Sequence, residues 1–234
     1  MNNSFKKFVK DKKVSSLSLD KYKKSKDNLL LPKQPKFTGS SPMVIEERQL
    51  NISTISVFDR LMMDRIIFLG EEIDDYIANI INAQLLFLDT YGDNQDDPIW
   101  LYINSPGGDC YSGLAIYDTM NALGAKVYTC VMGAACSMAF ILAIAGEKKH
   151  RYALKHSRLM MHQPLGNPGY SQATDLEIAN REMQNIKNDM SEIIALHTKK
   201  DKEIIKMDME RDYYMRGQEA IDYGAIDKIL IKTR

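Results

Sequence analysis

Paired cysteines and a membrane-length apolar run are both missing from this sequence. Its three cysteines, Cys110, Cys130 and Cys136, are odd in number and lack the paired spacing of a disulfide framework or a metal site such as zinc. Unpaired thiols fit a reducing compartment, so we expect a cytoplasmic protein. The longest apolar stretch, 131–146, has about 16 residues, whereas a membrane-spanning helix needs roughly 20. No membrane association is therefore predicted.

Charge of one sign is also lacking overall, because 31 basic residues balance 31 acidic ones. The balance hides a division: residues 1–40 contain eleven lysines and three aspartates, a net charge of +8, and the remainder carries −8. The first stretch has too little regular apolar spacing to fold alone. We interpret residues 1–42 as a basic flexible N-terminal extension or propeptide. Binding of nucleic acid by this tail is the weaker alternative, because it has no nucleic-acid-binding fold signature.

The rest of the chain has the composition of a folded α/β domain. With 44% hydrophobic and 26% charged residues, the sequence is neither disordered nor collagen-like. From residue 43 onward, short β-rich runs alternate with helical stretches, which is typical of α/β folds with crossover connections. Strands are predicted at 66–69, 99–103, 126–131, 151–154 and 159–162, and helices at 76–90, at about 111–123 and from 136 or 137 onward.

A long helix is predicted at 171–198, where apolar residues recur at alternating spacings of three and four, as in a heptad seam. The seam consists of Leu176, Ala179, Met183, Ile186, Met190, Ile193 and His197. About 28 residues of helix span roughly 42 Å, more than a compact domain of this size needs. We expect part of the helix to project and to meet a partner, most simply another copy of the chain. The alternative is a helix that lies on its own domain core.

Two junctions place a helix start directly after a predicted strand, and both use small residues. At the first, Gly107 and Gly108 allow close backbone approach and leave amide groups free to bind a carbonyl oxygen. At the second, 132–138, a lone hydroxyl on Ser137 stands among small apolar residues. That serine is either a helix N-cap or a nucleophile with the Met138 amide available for an oxyanion.

A serine nucleophile needs a base, and the chain has four histidines. His150 and His156 fall in charged or polar turns, and we expect both to be solvated. His197 lies on the heptad seam, where packing is the simpler role. His162 closes the apolar run 159–161 and stands at a strand end, where active-site loops gather. We therefore predict His162 as the general base.

An orienting carboxylate would complete a serine, histidine and acid relay, but the residues alone do not select it. The open candidates are Asp208, Glu210, Asp212, Asp109, Asp118 and Asp175. The order serine, histidine, acid differs from the orders of the α/β-hydrolases, of the chymotrypsin class and of the subtilisin class. A separate lineage of serine hydrolases is indicated.

Four segments that follow one another along the chain carry a resemblance to a known family. They are YINSPGG at 102–108, MGAACSM at 132–138, HQPLG at 162–166 and ERD at 210–212. These segments resemble the signature blocks of the ClpP family, the proteolytic subunits of the ATP-dependent Clp protease. The resemblance implies that 43–234 is a ClpP-like serine protease domain with an α/β, crotonase-like (ClpP-type) fold and a projecting long handle helix.

The same resemblance assigns the chemistry to particular residues. Ser137 matches the family's nucleophile, His162 its general base and Asp212 its acid. Gly108 and Met138 match the positions whose backbone amides form the oxyanion hole. No cofactor is expected, because ATP is used by the partner unfoldase and this chain has no P-loop.

Partners are also implied by the resemblance. The family forms homo-oligomers of two stacked heptameric rings that degrade unfolded proteins threaded in by a Clp-type unfoldase ATPase. Trp100 and Tyr102 match positions that dock the unfoldase, and Arg211 matches one that pairs across the ring interface. Two alternatives remain: a catalytically silent ring subunit that docks the ATPase or an active paralogue, and an acyl-CoA hydratase or thioesterase on the same fold.

Overall fold

A computed structural model describes residues 43–48, 51–90, 97–166, 169 and 172–231. The predicted extension at 1–42 lies outside the described residues. The fold begins with an antiparallel hairpin of β1 (Met43–Arg48) and β2 (Asn51–Ser56), which the sequence patterns did not single out. Ser56 ends β2 and starts helix α1 (Val57–Met63), because its hydroxyl accepts a hydrogen bond from the Asp59 amide at 3.0 Å.

A seven-stranded sheet forms the centre of the domain. Five parallel strands lie in the order β3-β4-β5-β6-β9, β7 runs parallel to the second half of β5, and β8 runs antiparallel to β7. The strands are β3 (Ile66–Leu69), β4 (Ile99–Ser105), β5 (Val127–Cys136), β6 (Arg151–Leu154), β7 (Arg158–Met161), β8 (Tyr213–Met215) and β9 (Lys228–Leu230).

Helices cover the sheet, and one short helix, which directly follows β5, lies within the hydrophobic core. The helices after α1 are α2 (Asp75–Thr90), α3 (Cys110–Ala122), α4 (Met138–Ile144), α5 (Ala173–Thr198), α6 (Lys202–Asp208) and α7 (Gln218–Tyr223). All seven residues of α4 are buried, which explains its uninterrupted apolar sequence. In the described part of the chain, no helix is both long and apolar enough to cross a membrane.

Strand β5 is longer than its sequence predicts. The predicted strand ended at Val131, but β5 continues to Cys136 through glycine and alanine residues of low strand propensity. Residues 134–136 pair with β7 at Arg158, Leu159 and Met160, so tertiary pairing overrides local preference. The extension brings the end of β5 directly to Ser137.

Helix α5 projects, as the sequence predicted. Residues 172–182 are all exposed, whereas Met190 and Ile194 are buried against the domain. In the second half of the helix Ile194 and Thr198 are fully buried, whereas the seam residues Ile193 and His197 are half-buried. A straight helix has 3.6 residues per turn, so its buried stripe drifts away from a strict heptad.

Candidate active site

Ser137 alone joins β5 to α4, and its backbone is unusual. Its dihedrals are φ 55° and ψ −124°, a region that residues with a side chain seldom occupy. The turn is held on both sides: the Ser137 amide donates to the Met160 carbonyl at 2.8 Å, and the Phe140 amide donates to the Ser137 carbonyl at 3.0 Å. Its side chain makes no capping hydrogen bond, so the N-cap role is not observed. A strained strand-to-helix turn is a common way to present a nucleophile.

The sheet places Ser137, His162 and Asp212 at one edge. Strands β5 and β7 are parallel neighbours, so Ser137 and His162, which follow their last residues, lie at the same end. Strand β8 is antiparallel to β7, and the last pair of their register joins Met161 to Tyr213. His162 directly follows the first residue of that pair, and Asp212 directly precedes the second. Strand pairing thus brings Asp212, one of the open acid candidates, near the segment that carries His162.

The relay between these side chains is not closed. The Nδ1 atom of His162 lies 2.6 Å from the carbonyl oxygen of Gln163, and Asp212 is exposed. Among the described residues, no hydrogen bond joins Ser137, His162 and Asp212. Burial first, and then the negative charge of Asp212, raise the pKa of the Cys136 thiol at the end of β5. Catalytic hydrogen bonds are often loose before substrate binds.

Gly107 packs directly against the nucleophile turn. It follows β4, the neighbour of β5 on the other side, and has a φ of +91°. A Cβ atom added here would lie 2.7 Å from the Ser137 Cβ and 3.0 Å from the Met138 nitrogen. Only glycine fits so close to these atoms. Sequence reasoning treated Gly107 only as part of a glycine pair, and that pair was the available signal.

Two backbone amides are free beside this turn. The Ile73 amide donates to the Gly107 carbonyl, and the Asp109 amide donates to the Ile73 carbonyl, both at 2.8 Å. Because neighbouring residues of an extended chain point in opposite directions, the Gly108 amide faces the β5 side. Met138 is the first residue of α4, where an amide has no acceptor within the helix. Neither amide has an acceptor among the described residues.

The family model for Clp protease matches residues 48–233. The chain belongs to the Clp protease family. It is thus a serine peptidase, and its central sheet with flanking helices confirms the predicted ClpP-type α/β fold.

Curated relatives agree with this membership. A protein of Porphyromonas gingivalis named "ATP-dependent Clp protease proteolytic subunit" is 54% identical over 194 residues, which cover 83% of this chain and 86% of the relative. Proteins of the same name from Bacteroides thetaiotaomicron and Bacteroides fragilis are 51% and 52% identical over 192 residues, covering 82% of this chain and 86% and 91% of the relatives. Nothing in these matches favours the silent-subunit alternative.

Aromatic rings cluster on one face of the sheet in this Clp protease family member. Trp100 and Tyr102 stack with ring centroids 6.0 Å apart, as residues on one side of a strand can. Trp100 also stacks on Tyr152 at 5.5 Å and contacts Tyr128 edge-on at 5.3 Å. The expectation that His150 is solvated is wrong: its half-buried ring stacks on Tyr128 at 3.9 Å. His150 directly precedes β6, and its ring lies against Tyr128 of the neighbouring strand β5.

The remaining predicted residues divide into packed and exposed positions. His197 is packed, because its Nε2 atom lies 3.1 Å from the Tyr117 hydroxyl; burial first, and then the charges of Arg151 and Lys199, lower its pKa to about 4. Arg211 is exposed and has no hydrogen bond or ion pair among the described residues.

The three cysteines, Cys110, Cys130 and Cys136, are free thiols. Across the described ranges, no group of three or more His, Cys, Asp or Glu residues could hold a metal ion.

Proposed function

We propose that this chain is the proteolytic subunit of an ATP-dependent Clp protease and that Ser137, His162 and Asp212 are its catalytic triad. The observation that carries the proposal is the order of functional groups along one sheet edge. The free amides lie beside β4 and at the start of α4, Ser137 follows β5, His162 follows β7, and Asp212 precedes β8. Nucleophile, base and acid thus occupy neighbouring strands.

The mechanism follows from these positions. The Ser137 hydroxyl attacks a peptide carbonyl while His162 accepts its proton, and Asp212 orients the imidazole and stabilises the imidazolium. The amides of Gly108 and Met138 bind the oxyanion. His162 then protonates the leaving amine, and water hydrolyses the acyl-enzyme. For this relay, the hydrogen bond of His162 Nδ1 must move from the Gln163 carbonyl to the Asp212 carboxylate.

The proposal includes the assembly and its partners. Two stacked heptameric rings of this chain enclose the sites, and a Clp-type unfoldase ATPase threads unfolded protein into the chamber. The exposed first part of α5, 173–182, and the exposed Arg211 supply the contacts between copies. Trp100 and Tyr102 belong to an aromatic cluster suited to docking the unfoldase. ATP is used by that partner, so this chain needs no cofactor.

Location and processing complete the proposal. Three free thiols fit the reducing cytoplasm. We propose that residues 1–42 are a basic extension or propeptide outside the protease domain at 43–234.

The deciding experiment is labelling with a fluorophosphonate, followed by intact-mass spectrometry. Wild-type protein should gain one adduct, and Ser137→Ala should gain none and lose peptidase activity by at least about a thousandfold. Cys136→Ala is the matched control, because it removes the neighbouring thiol and should still be labelled. An adduct on assembled Ser137→Ala would refute the assignment. The same spectra report whether the extension is present.

A further inference from the structure

Three polar side chains from separate segments meet beside the candidate triad. The Nζ atom of Lys187, on α5, donates to Oε1 of Gln163 at 2.8 Å and to Oε1 of Glu210 at 3.0 Å. Gln163 is the residue after His162, and Glu210 lies two residues before Asp212. One ammonium group therefore contacts both segments that carry the base and the acid.

Backbone hydrogen bonds join the same two segments. The Gln163 amide donates to the Met209 carbonyl at 2.8 Å, and the Gln163 side-chain Nε2 donates to the Glu210 carbonyl at 3.3 Å. The strand pairing between β7 and β8 ends at Met161 and Tyr213. Beyond that pair, the contacts around Gln163 replace the sheet ladder in holding His162 near Asp212.

Lys187 is shielded from water in a way that surface lysines are not. Its side chain is 19% exposed, whereas that of Lys126, in a surface ion pair, is 62% exposed. A shielded ammonium that binds two acceptors stabilises the local structure more than a solvated ion pair does, because water competes less for its hydrogen bonds. It lies on the buried half of α5, where the Ser191 hydroxyl bonds the Lys187 carbonyl at 2.7 Å.

We propose that Lys187 is a positioning residue that sets the separation and orientation of His162 and Asp212. This inference rests on the proposed triad. Lys187 acts through Gln163, whose backbone carbonyl is the present partner of His162 Nδ1. By fixing the side chain of Gln163 and the turn at Glu210 together, it limits how far the imidazole must move to reach the Asp212 carboxylate.

The test compares Lys187→Met and Lys187→Arg with Lys202→Met. Lys202 forms an ion pair with Glu192 away from these segments, so its loss controls for removal of a lysine charge. With a short fluorogenic peptide, Lys187→Met should lower kcat between ~10- and ~100-fold with KM changed less than about twofold, because small misplacements of catalytic groups cost rate rather than binding. Its rate of fluorophosphonate labelling should fall in parallel. Lys187→Arg should retain most of the activity.

The outcomes separate this inference from the triad assignment. If Ser137→Ala is inactive but Lys187→Met matches Lys202→Met in kcat, the positioning role is refuted and the triad stands. If Ser137→Ala is active, the triad itself is refuted. If Lys187→Met does not assemble, Glu210→Gln decides, because it removes one acceptor charge from a side chain that is 60% exposed. A several-fold lower kcat in assembled Glu210→Gln supports the inference, and an unchanged kcat overturns it.

Discussion

The backbone at Ser137 is in a conformation that costs of order 1–3 kcal/mol in a residue other than glycine. The cost is met by its surroundings, since the preceding strand is paired on both sides and the following helix is fully buried. Sequence reasoning found the serine from its small neighbours, but it could not find the positive φ. That angle arises from joining a paired strand to a buried helix, which is a property of the tertiary fold.

Gly107→Ala should reduce peptidase activity at least about a hundredfold, because the added methyl would collide with Ser137 and displace the Met138 amide from the oxyanion. The measurement is kcat/KM for a short peptide, together with the assembly state and melting temperature. Gly124→Ala is the matched control, since a Cβ there meets only Asp89 at 3.7 Å. Equal activity of the two variants would show that Gly107 does not border the oxyanion site.

The histidine and the acid differ in how far sequence could predict them. His162 was selectable among four histidines because it alone closes an apolar run before a loop. Asp212 could not be ranked among six acids from composition, because its selection depends on the register between β7 and β8. Only the family resemblance selected Asp212 from sequence. The contact between Gln163 and Lys187 was missed for the same reason, since it joins residues far apart in the chain.

At the scale of elements, Arg151 and Asp227 lock β6 to the start of β9. The Arg151 Nη2 and Nε atoms bond the two carboxylate oxygens of Asp227 at 2.7 and 2.9 Å, and the Arg151 amide bonds Oδ2 at 3.0 Å. Burial alone would raise the pKa of Asp227, but the hydrogen bonds and charge of Arg151 hold it below the usual range. The pair therefore ties the start of β6 to the residue that precedes β9.

Asp227→Asn should destabilise the protein by about 3 kcal/mol at neutral pH, because it leaves the nearly buried Arg151 without its counter-charge. Chemical denaturation at fixed protein concentration measures the change. Glu147→Gln is the control, since its exposed pair with Lys126 at 3.6 Å should contribute less than about 1 kcal/mol. A loss of stability no larger than that of the control would contradict the assigned role of Asp227.

His197, near the end of α5, packs against Tyr117 of α3. We expect it to make the stability of the protein depend on pH. Its pKa is about 4 in the folded protein against 6.5 for an ordinary histidine, so between these values the unfolded chain binds a proton that the folded chain does not. Stability should therefore fall as pH falls from about 6.5 to about 4. Because the ring is only partly buried, we expect a loss of about 1 kcal/mol at pH 5.

His197→Gln should flatten this part of the stability curve, because the amide stays neutral and can still bond Tyr117. Thermal or chemical denaturation at several pH values between 4 and 7 measures this pH dependence of stability. His156→Gln is the matched control for loss of a histidine side chain, since His156 is exposed. Parallel curves for wild type and His197→Gln would contradict the expected coupling.

The elements show where sequence patterns succeed and where they fail. Strands β3 and β6 were predicted at their observed bounds, because their apolar runs are short and clearly bounded. The end of β5 was missed, since its small residues become a strand only by pairing with β7. The hairpin of β1 and β2 was not singled out, and it forms a sheet separate from the central one.

At the scale of the whole molecule, the exposed first part of α5 is the surface through which copies of the chain would meet in the proposed assembly. It carries apolar side chains into solvent, with Leu176 40% and Ile178 56% exposed. Apolar groups on a projecting helix favour association, because burial between copies removes them from water. The proposed stacking of rings would bury this segment.

Ile178→Asp should shift the protein from the full assembly to smaller species, because a carboxylate would be buried at the contact between copies. Native mass spectrometry or size-exclusion chromatography measures the distribution. Asn180→Asp, on the same exposed stretch, adds the same charge without removing an apolar side chain and serves as the control. An intact assembly in Ile178→Asp would place the contact between copies elsewhere on the chain.

Strand β8 has three residues and, among the described strands, only β7 as a partner. Asp212 immediately precedes it, so the proposed acid is carried by a short edge strand of the sheet. Such edge segments open locally at a free energy well below that of global unfolding. Amide hydrogen exchange at Tyr213 and Met215, whose ladder partners are Met161 and Leu159, would therefore report how often β8 separates from β7, and under the proposed triad inactivation on mild heating should precede loss of the fold.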